Sequence, residues 1–173
     1  MKPMMKLFSA AALLTTTSAA TAADAPTDPQ IAHIAYTAGN IDIAAGKQAL
    51  TKAHSKAVRD FAQQMVRDHE AVNAKALALV KKLHVTPQDN ATSQSLTKSA
   101  EAERAKLAKL SGAAFDREYI NNEVAYHKTV NGALESTLIP SAKNGELKAL
   151  LETGLTLFRE HQGHAEQVAR QVK

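Results

Sequence analysis

The chain has 173 residues, enough for one domain with a sizeable core, and 45% of them are hydrophobic, 22% charged, with a formal net charge of +4. Only 7 Gly and 5 Pro exclude collagen-like, low-complexity and wholly disordered chains. With no Cys there is no disulfide framework, thiolate zinc site, cysteine nucleophile or lipidated cysteine, and with no Trp and 4% aromatics there are few platforms on which bases or sugars stack.

At the N-terminus, Lys2 and Lys6 precede an apolar run over 7–14 and a small-residue stretch ending Ala20-Thr21-Ala22-Ala23. A basic n-region, an h-region too short to span a bilayer and an A-x-A-like site predict a cleaved secretory signal peptide over 1–23. The remaining 24–173 then form one domain, exported to the periplasm or beyond, with no transmembrane span. Loss of Lys2 and Lys6 lowers the formal charge to +2, and no basic block of five remains, so nucleic acid is not an expected partner.

From Asp28 onward apolar residues recur at three- and four-residue spacing without sustained alternation, which predicts an all-α domain. The first helix runs over 28–53, with Asp28 as N-cap, Pro29 in the first turn and a stripe through Ile31, Ile34, Ala38, Ile41, Ala45 and Ala49. Gly39 and Gly46 weaken that helix but admit a close neighbour. Ser55 offers the next N-cap, and Val58, Phe61, Ala62, Met65, Val72 and Leu79 share one face of a second helix that Pro87 ends. Whether the two turn sharply at His54-Ser55 or continue as one bent helix stays open.

Residues 85–93, rich in Thr, Gln, Asn and Asp, predict a loop. A short charged helix covers 94–110, stopped by Gly112. A fourth helix covers 114–138 and ends at Pro140, and a fifth, capped by Asn144, carries Leu147, Leu150, Gly154, Leu157, Val168 and Val172 on one stripe. Four long helices and one short one predict an antiparallel four-helix bundle. Lys56-Ala57-Val58-Arg59-Asp60 and Met65-Val66-Arg67-Asp68-His69 align with Lys148-Ala149-Leu150-Leu151-Glu152 and Leu157-Phe158-Arg159-Glu160-His161 at one constant offset, as a duplicated helical hairpin would. Chance similarity between Ala/Lys/Leu-rich helices is the alternative.

Histidines fall on these stripes. His69 follows Met65 by four, His161 sits between Leu157 and Val168 with His164 three further on, and Glu123, His127 and Val130 share a face of the fourth helix. His69, His127 and His161 lie near mid-helix, so in an antiparallel bundle they occupy one layer. Asp42, Asp68, Glu123 and Glu160 stand beside that layer or within a turn of it. These eight residues form a candidate nitrogen and oxygen ligand set for a divalent Zn, Cu, Fe or Mn ion. The competing reading is a polar network in which the imidazoles are satisfied by carboxylates or by the hydroxyls of Tyr36, Tyr119 and Tyr126. His33, His54 and His84 read as surface or helix-end residues.

No G-x-S-x-G, P-loop, G-x-G-x-x-G or H-E-x-x-H occurs, and no catalytic residue is assigned. Asp42 with Ala45-Gly46, Phe61-Ala62-Gln63-Gln64-Met65-Val66-Arg67-Asp68-His69, Phe115-Asp116-Arg117-Glu118-Tyr119 leading to His127, and the late His161 resemble the bacterial "domain of unknown function 4142" family over 29–172. The resemblance implies an exported protein, often labelled an outer-membrane protein, with a ferritin-like four-helix bundle. It implies no established activity. The Glu-x-x-His motifs of a di-iron bundle are absent, since Glu123 and His127 are four apart, as are Glu160 and His164. The leading expectation is therefore a non-enzymatic structural, stress-associated or interaction module with a protein partner or a second copy. The alternative is a metal-binding bundle, and a membrane-facing or partner-facing apolar stripe is a third, weaker reading.

Overall fold

The computed structural model describes residues 25–172, and every regular element among them is helical. The signal-peptide assignment lies outside these residues. No helix among them is long and apolar enough to cross a membrane.

Helix α1, Asp28–Lys52, and α2, Lys56–Lys82, form a tight hairpin. Ala53 and Ser55 take extended backbone angles, so the chain reverses sharply here. Lys47 pairs with Glu70 and Asn40 with Asn73, and these rising and falling numbers set the two helices antiparallel. Small residues permit the approach. A Cβ on Gly39 would stand 2.2 Å from Asn73 Oδ1, and one on Gly46 would stand 2.8 Å from Val66 Cγ2.

Helix α3, Ala91–Ala108, runs alongside α1 in the same direction, with Asn90 bonded to Gln30, Gln48 to Arg104 and Lys52 to Ala108. Helix α4, Gly112–Ala133, leads through a π-helical turn at Leu134–Leu138 and the short α5, Ile139–Ser141, to α6, Gly145–Gln171. Helix α6 packs on both α4 and α2. Two apolar clusters result. Phe61, Met65, Phe115, Tyr119 and Ile120 fill one, Ile31, Leu134, Leu138, Leu147 and Leu151 fill the other, and polar side chains lie between them.

Several predicted boundaries are corrected. Thr27, not Asp28, flanks the first helix, its N–H donating to Gln30 Oε1 at 2.9 Å. The polar residues Thr92 and Ser93 belong to α3, because Asn90 caps it by accepting from Ser93 N at 3.1 Å. Gly112 does not stop α3. It opens α4 with φ of 55°, a left-handed conformation that glycine adopts without a Cβ penalty. Pro140 does not end the fourth helix. Ile139 N–H reaches back five residues to Leu134 O, and this wider turn accommodates a ring that would collide with a carbonyl in a regular α-helix. Ile41 is only half-buried and Asp42 takes its place in the buried face of α1.

Freed from capping, Asp28 accepts from Lys143 N and Asn144 N at 2.8 Å each, across the turn before α6. Asp116, just past the first turn of α4, does the same for His54 N and Ser55 N at 3.0 and 2.7 Å, across the turn before α2. Each hairpin is thus pinned by a carboxylate from the other. Asp116 is 2% exposed, so Asp116→Ala leaves two amides without their charged acceptor and is expected to cost about 2–4 kcal/mol in denaturant unfolding, with Asp116→Asn recovering part of it.

Candidate metal centre

Between the two apolar clusters, α2, α4 and α6 each direct an imidazole inward. His69, His127 and His161 are 2%, 1% and 0% exposed, burial that costs free energy at every imidazole nitrogen left without a partner. The ring centroids stand 5.8 Å apart for His69 and His127, 5.3 Å for His69 and His161, and 5.5 Å for His127 and His161. One nitrogen from each lies within 4.8 Å of the others. A second triplet, its ligand atoms also within 4.8 Å of one another, joins His127 to the buried carboxylates of Asp42 and Glu123. His127 belongs to both.

Hydrogen bonds fix how two of these rings are presented. His127 Nδ1 lies 3.0 Å from the Glu123 carbonyl, which only accepts, so Nδ1 carries the proton and Nε2 the lone pair. His161 Nε2 lies 3.1 Å from Asp68 Oδ2, which puts the proton there and leaves Nδ1 as the free base. Among the described residues, His127 Nε2, His161 Nδ1 and both nitrogens of His69 have no hydrogen-bond partner. His69 Nε2 comes within 3.3 Å of Asp42 Oδ2, without hydrogen-bond alignment. Phe158 covers the face of His69, stacked at 4.8 Å and 14°.

Burial governs the protonation of the layer. It pushes the His69 imidazole down to about 4, against the nearby Asp68 charge, and His161 likewise to about 4, with His69 adding to the fall and the Asp68 hydrogen bond opposing it. His127 is also lowered by burial, partly offset by Asp42. All three rings are therefore neutral bases at neutral pH. Desolvation raises Asp42, and raises Glu123 well above the ordinary carboxylate range, with Asp42 adding its repulsion. Tyr119 is raised well above its ordinary value by burial and then by Glu123 and Asp42. The arrangement is a cluster of neutral imidazoles beside a carboxylate pair that resists full ionisation.

Not every predicted ligand reaches this place. Glu160 is exposed: one residue from His161 is about 100° around the helix, and it faces solvent. His164 is turned away into a hydrogen bond from its Nδ1 to Gln64 Oε1 at 2.8 Å, with its ring edge against Phe61. Asp68 stands behind His161 rather than inside the cluster, bonded also by Arg67 Nε at 2.9 Å. The tyrosines do not satisfy the imidazoles either. Tyr126 Oη donates to the Ala38 carbonyl at 3.0 Å, and Tyr119 Oη has no hydrogen bond among the described residues. Phe158 went unnoticed in the sequence, though its place three residues before His161 puts it on the same face.

Neither a curated protein nor a solved structure matches the chain. A family model does, over residues 13–168, starting before the first of the motifs quoted above and covering all four helices that build the buried layer. The chain belongs to that family, described as domain of unknown function (DUF4142).

Proposed function

We propose that this protein is an exported, ferritin-like helical bundle that holds a divalent transition-metal ion in its middle layer, with His69, His127 and His161 as ligands and Asp42 and Glu123 as the nearest oxygen donors. One observation carries the reading: three buried neutral imidazoles from three helices converge while retaining unpartnered lone pairs. A buried polar atom without a partner costs about 1–3 kcal/mol, a cost that coordination removes. Zn–N bonds of about 2.1 Å bring two ligand nitrogens within about 4.2 Å of each other. Nitrogens spread over 4.8 Å need only small ring rotations to meet that limit. The acceptors behind His127 and His161 orient the rings as carboxylate and carbonyl partners of metal-ligating imidazoles do.

The donor set suits Zn, Cu, Fe or Mn, and metal supply decides among them. The reading requires no catalytic step and agrees with a non-enzymatic role. Elemental analysis of protein purified without chelator or added metal is expected to give about one transition-metal ion per chain. Background metal content, unchanged after incubation with excess Zn²⁺ and desalting, would overturn it.

A further inference from the structure

Beside the histidine layer, on the α3 side of Phe158, lies a cavity of about 610 Å³ between α1, α2, α4 and α6. That is the size of a small-molecule site. Its walls are not simply poor packing. The stripes that should be closed here carry small residues, Ala35, Ala38, Ala76 and Gly154, which hollow the interior where Leu or Ile would fill it. As a result Leu79, Leu96 and Val130 are only half-buried although they face inward. The π-helical turn contributes Leu134, Thr137 and Leu138 to the same wall, and such turns recur where a helix is reshaped for a ligand.

Charge narrows the occupant. None of the described residues lining the cavity is charged, and its polar members are amides and hydroxyls, among them Gln30, Asn73, Asn90 and Thr129. An anionic head group would enter without a cation to meet it, and a cation without a carboxylate. We infer that the cavity binds a neutral, predominantly apolar small molecule carrying one or a few oxygen acceptors, of the quinone or isoprenoid-alcohol class. Phe158 gives this site its second property. Its ring lines the cavity and stacks on His69, so a ligand inside lies against the wall of the imidazole layer. Binding itself does not depend on a metal, so it is measured on chelator-treated protein, where failure of the metal reading leaves it untouched.

The test uses the full chain and the neutral fluorophore N-phenyl-1-naphthylamine. Saturable binding of about one dye per chain is expected, with displacement by decylubiquinone or farnesol and not by ionised palmitate. Ala76→Phe, and separately Ala35→Leu, fill the cavity and should weaken dye binding at least tenfold while circular dichroism and melting stay near wild type. His164→Ala, which lies outside the lining, should bind as wild type does. No saturable uptake, or wild-type affinity in both folded filling variants, overturns the inference. Equal displacement by palmitate overturns the assignment to neutral ligands. Sedimentation under the same conditions separates a second copy: dye released as the chain dimerises assigns the cavity to an interface and overturns the small-molecule site.

Discussion

Zn²⁺ added to metal-free protein at about a hundred times its dissociation constant is expected to raise the melting temperature by about 5–11 °C. Binding to the folded chain alone contributes about 2.7 kcal/mol at that ratio. Each kcal/mol moves the midpoint by about 2–4 °C for a chain of this size. His127→Ala should abolish the increment, because His127 is the member common to both buried triplets. The variant also leaves a hole, so its own midpoint will be lower. What matters is the metal-dependent difference, not the baseline. His164→Ala supplies the contrast, since this ring is spent on Gln64 and should leave the increment intact. A wild-type midpoint indifferent to Zn²⁺, Cu²⁺, Fe²⁺ and Mn²⁺, or an increment that survives His127→Ala, would remove the metal reading.

The imidazole layer was legible in the sequence because helical periodicity is a long-range ruler. His69 at four residues from Met65 must share its face, and three such rings near mid-helix meet if their helices pack side by side. The same ruler misled at single-residue resolution. Glu160 adjoins His161 in sequence but is turned about 100° away to solvent, while Phe158, a turn earlier, faces inward. Asp42 is legible as a candidate ligand at the edge of the stripe, but not as a member of it. Acidic residues seldom occupy a core, so the periodicity assigns the buried face of α1 to Ile41, which is half-buried while Asp42 is buried.

What lay beyond reach was set by contacts distant in sequence. Nothing local marks Asp28 as the clasp for a turn more than a hundred residues away, and its capping propensity pointed instead to the helix start. Pro140 was read as a terminator by its missing N–H and its ring. A single wide turn lets the helix pass it, and that turn is maintained by the packing of Leu134 and Leu138 rather than by local preference. Gly39 and Gly46 went the other way. Their cost in a helix was visible from residue type alone, and the close contacts to Asn73 and Val66 account for it.

In metal-free protein the buried imidazoles and the buried carboxylates should pull the pH dependence of stability in opposite directions. His69 and His161 stand at about 4 in the folded chain against 6.5 ordinarily, so between those values the unfolded chain holds more protons. Stability therefore falls as pH drops from 6.5 towards 4, by up to about 3 kcal/mol for each ring. Asp42 and Glu123 act in reverse. Their folded values are raised from 3.8 and 4.5, so above those ordinary values the folded chain holds the extra protons, and stability falls as pH rises through the raised values. A bound divalent ion changes the second slope, because it replaces the proton that the carboxylate pair retains and favours ionised oxygen donors. Because the imidazole and carboxylate slopes oppose one another above pH 4.5, denaturant unfolding with chelator compares wild type with Glu123→Gln, which lacks one carboxylate: the variant's stability should rise more steeply from pH 4.5 to 6.5. With saturating Zn²⁺ the stability of wild type should rise with pH, because coordination takes the carboxylates in their ionised form. A metal-free Glu123→Gln protein whose stability stays flat from pH 6.5 to 4.5 would mean that His69 and His161 are solvated, and the buried layer on which the metal reading stands would be lost with it.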